Sequence, residues 1–171
     1  MTNQNLLKFS PGNAKIAGIF SMSLPSGWAC PFADKCLSKV DFVTGKIQDG
    51  KNTEFRCFSA TQENIFPATR RQRKHNFDLL KSMKSSEEMA DLIHNSLPAF
   101  GNVIGKIIRL HVAGDFFSQA YFDAWILVAK RNPKRIFYAY TKSLSYWIAR
   151  LDSIPKNLRL TASKGGRLDS L

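Results

Sequence analysis

The fold is decided by residues 107–141, which read IIRLHVAGDFFSQAYFDAWILVAKRNPKRIFYAYT. A buried strand is predicted at 107–113, because apolar residues dominate it and a Gly-Asp pair follows. Ser118 then caps a helix whose apolar residues recur at helical spacing, and the Asn-Pro pair at 132–133 stops that helix. A second strand is predicted at 135–140. A strand, a helix and a strand of these lengths indicate two parallel strands joined by a right-handed crossover.

The flanking sequence continues this alternation. The further elements predicted are a strand at 16–24, helices at 59–66, 68–84 and 85–95, a short helix at 146–151 and a strand at 158–162. Ser85 followed by Glu88 forms a capping box for the third of these helices. The pattern predicts an α/β fold, either a partial (βα) barrel or an open, mostly parallel sheet, with a long N-terminal loop that carries the cysteines.

Composition fits a globular protein. The chain has 171 residues, of which 44% are hydrophobic, and we expect a single domain over 1–171. Within it we distinguish an N-terminal strand and cysteine loop (1–58), a helical segment (59–105) and a βαβαβ unit (106–171). The sequence shows neither a signal peptide nor a run apolar enough for a membrane helix. We therefore expect no membrane partner and a cytosolic protein whose thiols stay reduced.

Three segments follow the predicted strands and should share one edge of the sheet. They are Gly-Asp-Phe at 114–116, Thr-Lys-Ser at 141–143 and Ser-Lys-Gly-Gly at 163–166. Open parallel sheets bind ligands beyond the carboxyl ends of their strands. Asp115 precedes two phenylalanines, so burial would raise its pKa and make it a candidate for proton transfer. Alternatively it is only a charge near the helix that Ser118 caps.

The chain's three cysteines, Cys30, Cys36 and Cys57, lie in a loop-like stretch at 25–57. Loops of this length inside a domain are usually functional or disordered. Buried structural cysteines normally sit in apolar runs, whereas these neighbour charged residues such as Lys35 and Arg56, which would favour thiolates. Three thiolates without a fourth ligand suit an iron–sulfur cluster of the 4Fe–4S type with one open iron. Three unrelated thiols, or a zinc site completed by a histidine, are the alternatives.

The net charge is +12, from 25 Lys and Arg against 13 Asp and Glu. Such an excess favours a nucleic acid partner, although solubility alone would also account for it. Cationic residues cluster on the predicted second helix and would form a phosphate-contacting patch: Arg70, Arg71, Arg73 and Lys74. The alternative is a solvated helix face. Most aromatic residues, such as Trp125 and Tyr138, lie at core periodicity.

Several motifs resemble a family of bacteriophage proteins of the marine and cyanobacterial type. They are SLPSG (23–27), CPFADKC (30–36), RCFSA (56–60), HVAGDFFS (111–118), YAYTKS (138–143) and LTASKGG (160–166). This similarity covers essentially the whole chain. It implies a phage-encoded protein in the host cell cytosol.

A more distant resemblance is to phage proteins similar to radical S-adenosylmethionine (SAM) enzymes. Those carry a cysteine loop ending in Cys-aromatic, matched here at Cys57, a strand ending in an acidic residue, matched at Asp115, and a strand ending in Thr-Lys. The resemblance implies a cluster on the three cysteines and a SAM site at Gly114, Asp115, Thr141 and Lys142, with Asp115 as the candidate catalytic residue. The cysteine spacing departs from the usual radical SAM loop.

Two functions from different classes follow. The first is an iron–sulfur protein resembling radical SAM enzymes that acts on or near nucleic acid. The second is a non-catalytic module, in which a metal fixes the loop and the basic surface binds nucleic acid, or a virion or assembly component. The chain has fewer strands than a full barrel of this type needs. A partner protein or a second copy would then complete the sheet.

Overall fold

The computed structural model describes residues 6–11, 16–101 and 104–171. The described strands are β1 (Phe20–Met22), β2 (Ser38–Val40), β3 (Ile47–Asp49), β4 (Ile107–Leu110), β5 (Ile136–Thr141) and β6 (Leu158–Ala162). The described helices are α1 (Phe58–Ile65), α2 (Pro67–Ser82), α3 (Ser86–Ser96), α4 (Gln119–Arg131) and α5 (Leu144–Ile148), followed by a 3₁₀ turn at Leu151–Ser153. None of the helices in this part of the chain is both long and apolar enough to cross a membrane.

Four strands form one sheet in the order β1-β4-β5-β6, and all three neighbouring pairs are parallel. The predicted open parallel sheet is confirmed, and the described strands do not close into a barrel. The β4-α4-β5-α5-β6 succession is the βαβαβ unit predicted for 106–171. Because every strand runs in the same direction, the segments that follow β4, β5 and β6 emerge at one edge, here called the carboxyl edge.

One face of the sheet packs against helices. Alternate strand residues Ile108, Leu110 and Phe137 are buried on that side with Trp125 of α4, whose ring centre lies 5.7 Å from that of Phe137. Side chains on a strand alternate between the two faces. Tyr138, which sequence periodicity had assigned to the core, therefore lies on the opposite face and is half-buried.

Both predicted helix caps are present. The Ser85 hydroxyl accepts a hydrogen bond from the Glu88 N–H at 3.1 Å, and the Glu88 carboxylate accepts from the Lys84 N–H at 2.8 Å. The Ser118 hydroxyl accepts from the Tyr121 N–H at 3.2 Å. These bonds satisfy N–H groups that a helix start leaves without intrahelical partners.

The cysteine loop contains structure that the sequence did not predict. Strands β2 and β3 pair as an antiparallel hairpin within it. The Asp41 carboxylate turns the chain between them by accepting bonds from the N–H groups of Val43 and Thr44, at 3.0 and 2.6 Å. Gly45 completes the turn with φ +75°.

Candidate metal centre

The three cysteines converge on one cavity of about 220 Å³, although they are widely spaced in the sequence. Asp115 and Lys142 line the same cavity, so it lies at the carboxyl edge. All three thiols are free and half-buried. The cysteine loop thus overhangs the edge at which open parallel sheets bind ligands.

Backbone hydrogen bonds tie the cysteine loop to that edge. The Asp115 N–H donates to the Ala29 carbonyl at 3.0 Å, beside Cys30. The Arg167 N–H donates to the Phe32 carbonyl at 2.9 Å, and the Lys35 N–H donates to the Gly165 carbonyl at 3.2 Å. The loop therefore spans from the end of β4 to the segment after β6, and these bonds fix the first two cysteines over the cavity.

Cys57 reaches the cavity through helix α1. It occupies the N-cap position of that helix, and its carbonyl accepts from the Ala60 N–H at 3.0 Å. The hydroxyl of Ser59, the second residue of the helix, donates a hydrogen bond to the Val112 carbonyl at 3.3 Å. This bond holds the start of α1 against the chain after β4. The third thiol is thus positioned by a helix start and the first two by a loop.

A buried carboxylate supports the loop from behind. Glu63 of α1 is fully buried and accepts bonds from the Ser26 N–H at 2.9 Å and the Ser26 hydroxyl at 3.0 Å. Arg73 of α2, also buried, donates to the same carboxylate at 2.7 Å. This buried ion pair connects two helices to the segment just before Cys30.

The expected phosphate-contacting patch on α2 is corrected by this arrangement. Arg70 is buried like Arg73, and it donates to the Glu63 carbonyl at 2.6 Å and to the Phe42 carbonyl at 3.3 Å. Arg71 is exposed, and Lys74 forms an ion pair with Asp78 at 2.5 Å. Helical spacing correctly places Arg70 and Arg73 on one face of α2. That face points inward, where internal acceptors satisfy both guanidinium groups.

The cations expected to favour thiolates are also engaged elsewhere. Lys35 pairs with Glu54 at 2.9 Å, and Arg56 pairs with Asp49 at 2.5 Å. Burial raises the pKa of the Cys36 thiol, and the charge of Lys142 opposes that shift, so Lys142 is a cation that acts on a thiol.

The cavity concentrates negative charge when its thiols ionise. Burial raises the pKa of the Cys30 thiol well above its usual value, and the Asp115 carboxylate raises it further. The two other thiols, of Cys36 and Cys57, add to this effect. Thiolates at these positions would need a positive charge between them.

Asp115 joins the ends of β4 and β5. One of its oxygens accepts from the Thr141 hydroxyl at 2.6 Å and from the Phe116 N–H at 2.7 Å, and the other accepts from the Lys142 N–H at 2.8 Å. Burial raises the pKa of Asp115, and these hydrogen bonds oppose that shift. The predicted convergence of the segments after β4 and β5 is therefore present, with Asp115 at its centre.

Lys142 extends this network to the segment after β6. Its ammonium group donates to the Ser163 hydroxyl at 2.9 Å and to the Lys164 carbonyl. All three predicted edge segments thus meet. Gly114 lies beside Asp115 with φ +81°, and a Cβ there would stand 2.6 Å from that of Leu24. Close packing against Leu24 thus requires a glycine at this position.

His111 is a further residue of the cavity. It lies directly after β4 with φ +58°, in the left-handed region that few residues other than glycine adopt and in which asparagine, aspartate and histidine are the most frequent of those few. Its Nε2 lies 3.0 Å from the Tyr121 hydroxyl, and its buried Nδ1 has no partner among the described residues. Burial lowers its pKa to about 3, so the ring is neutral. The sequence offered one signal for this role, which is a histidine within the mainly apolar stretch 107–113.

Across residues 6–11, 16–101 and 104–171, no three His, Cys, Asp or Glu side chains are grouped closely enough to hold a single metal ion. That finding concerns one ion. An iron–sulfur cluster is larger, and each of its protein ligands binds a different iron.

The fold and the cavity define an α/β protein with an open parallel sheet and a three-thiol centre at the carboxyl edge. The chain belongs to the Gene product 88 family, whose model matches residues 2–171. It is 29% identical to the Gene 88 protein of Mycobacterium phage L5 over 138 residues, covering 77% of this chain and 51% of that protein. It is also 29% identical to the Gene 88 protein of Mycobacterium phage D29 over 140 residues, covering 77% and 50%.

These matches confirm the predicted bacteriophage family. The two relatives come from phages of mycobacteria, and the resemblance to marine and cyanobacterial phage proteins and to radical SAM proteins stays a prediction. The chain spans about half the length of these relatives. No solved structure matches it.

Proposed function

We propose that this protein holds an iron–sulfur cluster of the 4Fe–4S type on Cys30, Cys36 and Cys57, and that it binds SAM beside the cluster. The observation that carries the proposal is the convergence of three distant thiols on one cavity at the carboxyl edge of a parallel sheet. Ligands of such sheets bind at that edge. We further propose that the protein works in the host cytosol, where its thiols stay reduced.

The charge of the cavity supports a cationic occupant. When Cys30, Cys36 and Cys57 are ionised, their sulfurs and the Asp115 carboxylate repel one another, which is why the pKa of Cys30 is raised beyond the effect of burial. Positive metal ions would relieve this repulsion and keep the thiols deprotonated. Three thiolates would leave the fourth iron of a cubane free for another ligand.

The residues beside the thiols suit a cofactor with both an ammonium and a carboxylate group. Asp115 and Lys142 line the same cavity and carry opposite charges. Asp115 is held in place by three donors, so it would accept a bond from an ammonium group with little loss of side-chain freedom. Thr141 and Gly114 each precede one of these charged residues and hold its chain segment in place. Bound SAM would supply radical chemistry through its reductive cleavage, and the protein would supply orientation and exclusion of water.

Anaerobic reconstitution with iron and sulfide tests the cluster. We expect visible absorption, iron and sulfide at about four of each per chain, and an electron paramagnetic resonance signal after reduction. Each of the substitutions Cys30→Ser, Cys36→Ser and Cys57→Ser should lower the iron content, whereas Arg71→Ala, on the exposed side of α2, should not. A colourless protein that binds one zinc ion per chain would overturn the cluster and favour a metal that only fixes the loop.

Calorimetry with SAM tests the cofactor separately. The reconstituted protein should release or absorb heat on titration with SAM, and Asp115→Asn should weaken binding about tenfold or more, because it removes a charge that would face the cofactor's ammonium group. Asp91→Asn, which makes the same charge change at an exposed position on α3, is the matched control. Absence of heat with a fully loaded cluster would leave an iron–sulfur protein that does not bind SAM.

A further inference from the structure

The sheet has a second face that helices do not cover over β5 and β6. We call it the open face and define it by Arg109, Tyr138, Tyr140, Arg159 and Thr161. Arg159 and Thr161 are exposed, and Tyr140 is 53% exposed although it lies within strand β5. Parallel sheets are normally covered on both faces. The open face is therefore a surface on which a partner is expected.

The strand register places cations next to aromatic rings on this face. Tyr138 pairs with Arg109 on one side and with Arg159 on the other. The Arg109 guanidinium lies 5.9 Å from the centre of the Tyr140 ring, and its buried Nε has no partner among the described residues. The residues that define the open face include no carboxylate. The surface therefore offers two positive charges and two ring faces to a partner.

We infer that the open face binds single-stranded nucleic acid, with bases stacked on Tyr138 and Tyr140 and phosphates held by Arg109 and Arg159. Stacking on aromatic rings and ion pairing along the backbone are the two interactions by which proteins hold single strands. The net charge of +12 would add a salt-dependent attraction. A second copy of this chain fits less well, because a two-fold contact would bring the arginines of both faces together without carboxylates.

The open face leads into the thiol cavity, because Arg109 and Tyr140 line both. A strand bound across the face would thus have one nucleotide next to the thiol cavity. That position makes nucleic acid the substrate class of the metal centre, and this last step alone rests on the proposed function. Binding itself would require no metal.

Fluorescence anisotropy with labelled oligothymidine and oligouridine of about 12 nucleotides tests the inference on the full chain, with and without reconstituted iron. Tyr140→Ala should weaken binding about 5- to 100-fold, because it removes a stacking platform, whereas Tyr140→Phe should bind like the unchanged protein. Arg159→Ala should lower the slope of log affinity against log salt by about one. The two oligonucleotides distinguish DNA from RNA.

Arg71→Ala is the matched control, because it removes the same charge from an exposed position on α2. It should change affinity less than Arg159→Ala does. Equal effects of these two variants, unchanged binding by Tyr140→Ala, tighter binding of duplex than of single strands, or a dimer that Tyr140→Ala dissociates would each overturn the inference. An unchanged protein that takes up no iron on reconstitution but still binds the oligonucleotides would overturn the metal centre and leave the binding face standing.

Discussion

The Arg73 guanidinium lies 2.7 Å from a carboxylate oxygen of Glu63, and both side chains are buried. The same carboxylate accepts two bonds from Ser26. This pair therefore joins α2 to α1 and to the loop segment just before Cys30. An arginine that the sequence suggested for phosphate contact instead holds the cysteine loop in place.

Removing either member of this pair should strongly destabilise the protein. Glu63→Ala and Arg73→Ala should each lower the free energy of unfolding by about 3–5 kcal/mol, because each leaves an uncompensated charge in the interior. The double variant should lose less than the sum, since neither charge then remains. Urea denaturation measures all three, with the exposed Arg71→Ala as control, expected within about 0.5 kcal/mol of the unchanged protein. If Arg73→Ala costs no more than Arg71→Ala, the pair does not stabilise the fold.

Gly114→Ala should be costly for a different reason. The residue has φ +81°, and a Cβ would stand 2.6 Å from that of Leu24, so the change adds backbone strain to overpacking. These effects together should lower the free energy of unfolding by about 2–4 kcal/mol. Gly101→Ala is the matched control, because the nearest atom to its Cβ would be 3.7 Å away. Thermal unfolding of both variants checks the prediction, and equal midpoints would contradict it.

The sequence predicted the C-terminal half of the fold well because local and global signals agree there. The strands β4, β5 and β6 are apolar and short, α4 has a cap at Ser118, and a general rule about parallel sheets located the carboxyl edge. The rule alone predicts that Asp115 and Lys142 lie close together. The gathering of the three cysteines was predicted separately, from their place in one long loop beside charged residues.

The features that sequence reasoning missed depend on contacts between distant residues. Arg73 looks exposed in a basic run, and acceptors on another helix, above all the carboxylate of Glu63 ten residues earlier, make its burial tolerable. The β2–β3 hairpin has few apolar residues in alternation, so periodicity does not predict it. Hydrogen bonds to the Asp41 carboxylate at the turn specify it instead. Tyr138 has core periodicity, yet no element covers its face among the described residues. Periodicity shows which side chains share a face, but not what lies opposite.

Burial of His111 should make stability depend on pH. Its pKa is about 3 in the folded protein and near 6.5 when unfolded, so below the unfolded value only the unfolded chain takes up the proton. This group's contribution to the free energy of unfolding is thus fully present above about pH 6.5 and falls toward pH 3, with a loss of about 2 kcal/mol at about pH 5. His111→Asn, a residue that tolerates positive φ, should remove that slope.

Urea denaturation of the metal-free protein at several pH values measures the difference in slope. His94→Asn is the control, because it removes an imidazole from an exposed position on α3 and leaves His111 in place. The unchanged protein and His94→Asn should lose stability in parallel between about pH 7 and 5, whereas His111→Asn should lose about 2 kcal/mol less. Parallel curves for all three proteins would show that His111 takes up its proton without cost to the fold.

The Cys30 thiol should be the site where the charge of the cavity is most directly measurable. In metal-free protein its pKa is raised by burial, by Asp115 and by the two other thiols, so at neutral pH it should alkylate slowly and speed up only above the ordinary thiol range. Asp115→Asn removes one of the negative charges and should raise the alkylation rate of Cys30 at about pH 8 several-fold.

Asp91→Asn, the same charge change on α3, should leave that rate unchanged. Mass spectrometry resolves labelling at each cysteine, and a Cys30 rate that Asp115→Asn leaves unaltered would mean that burial alone controls the thiol. In the reconstituted protein the iron should protect all three thiols together, because each would then be bound as a thiolate.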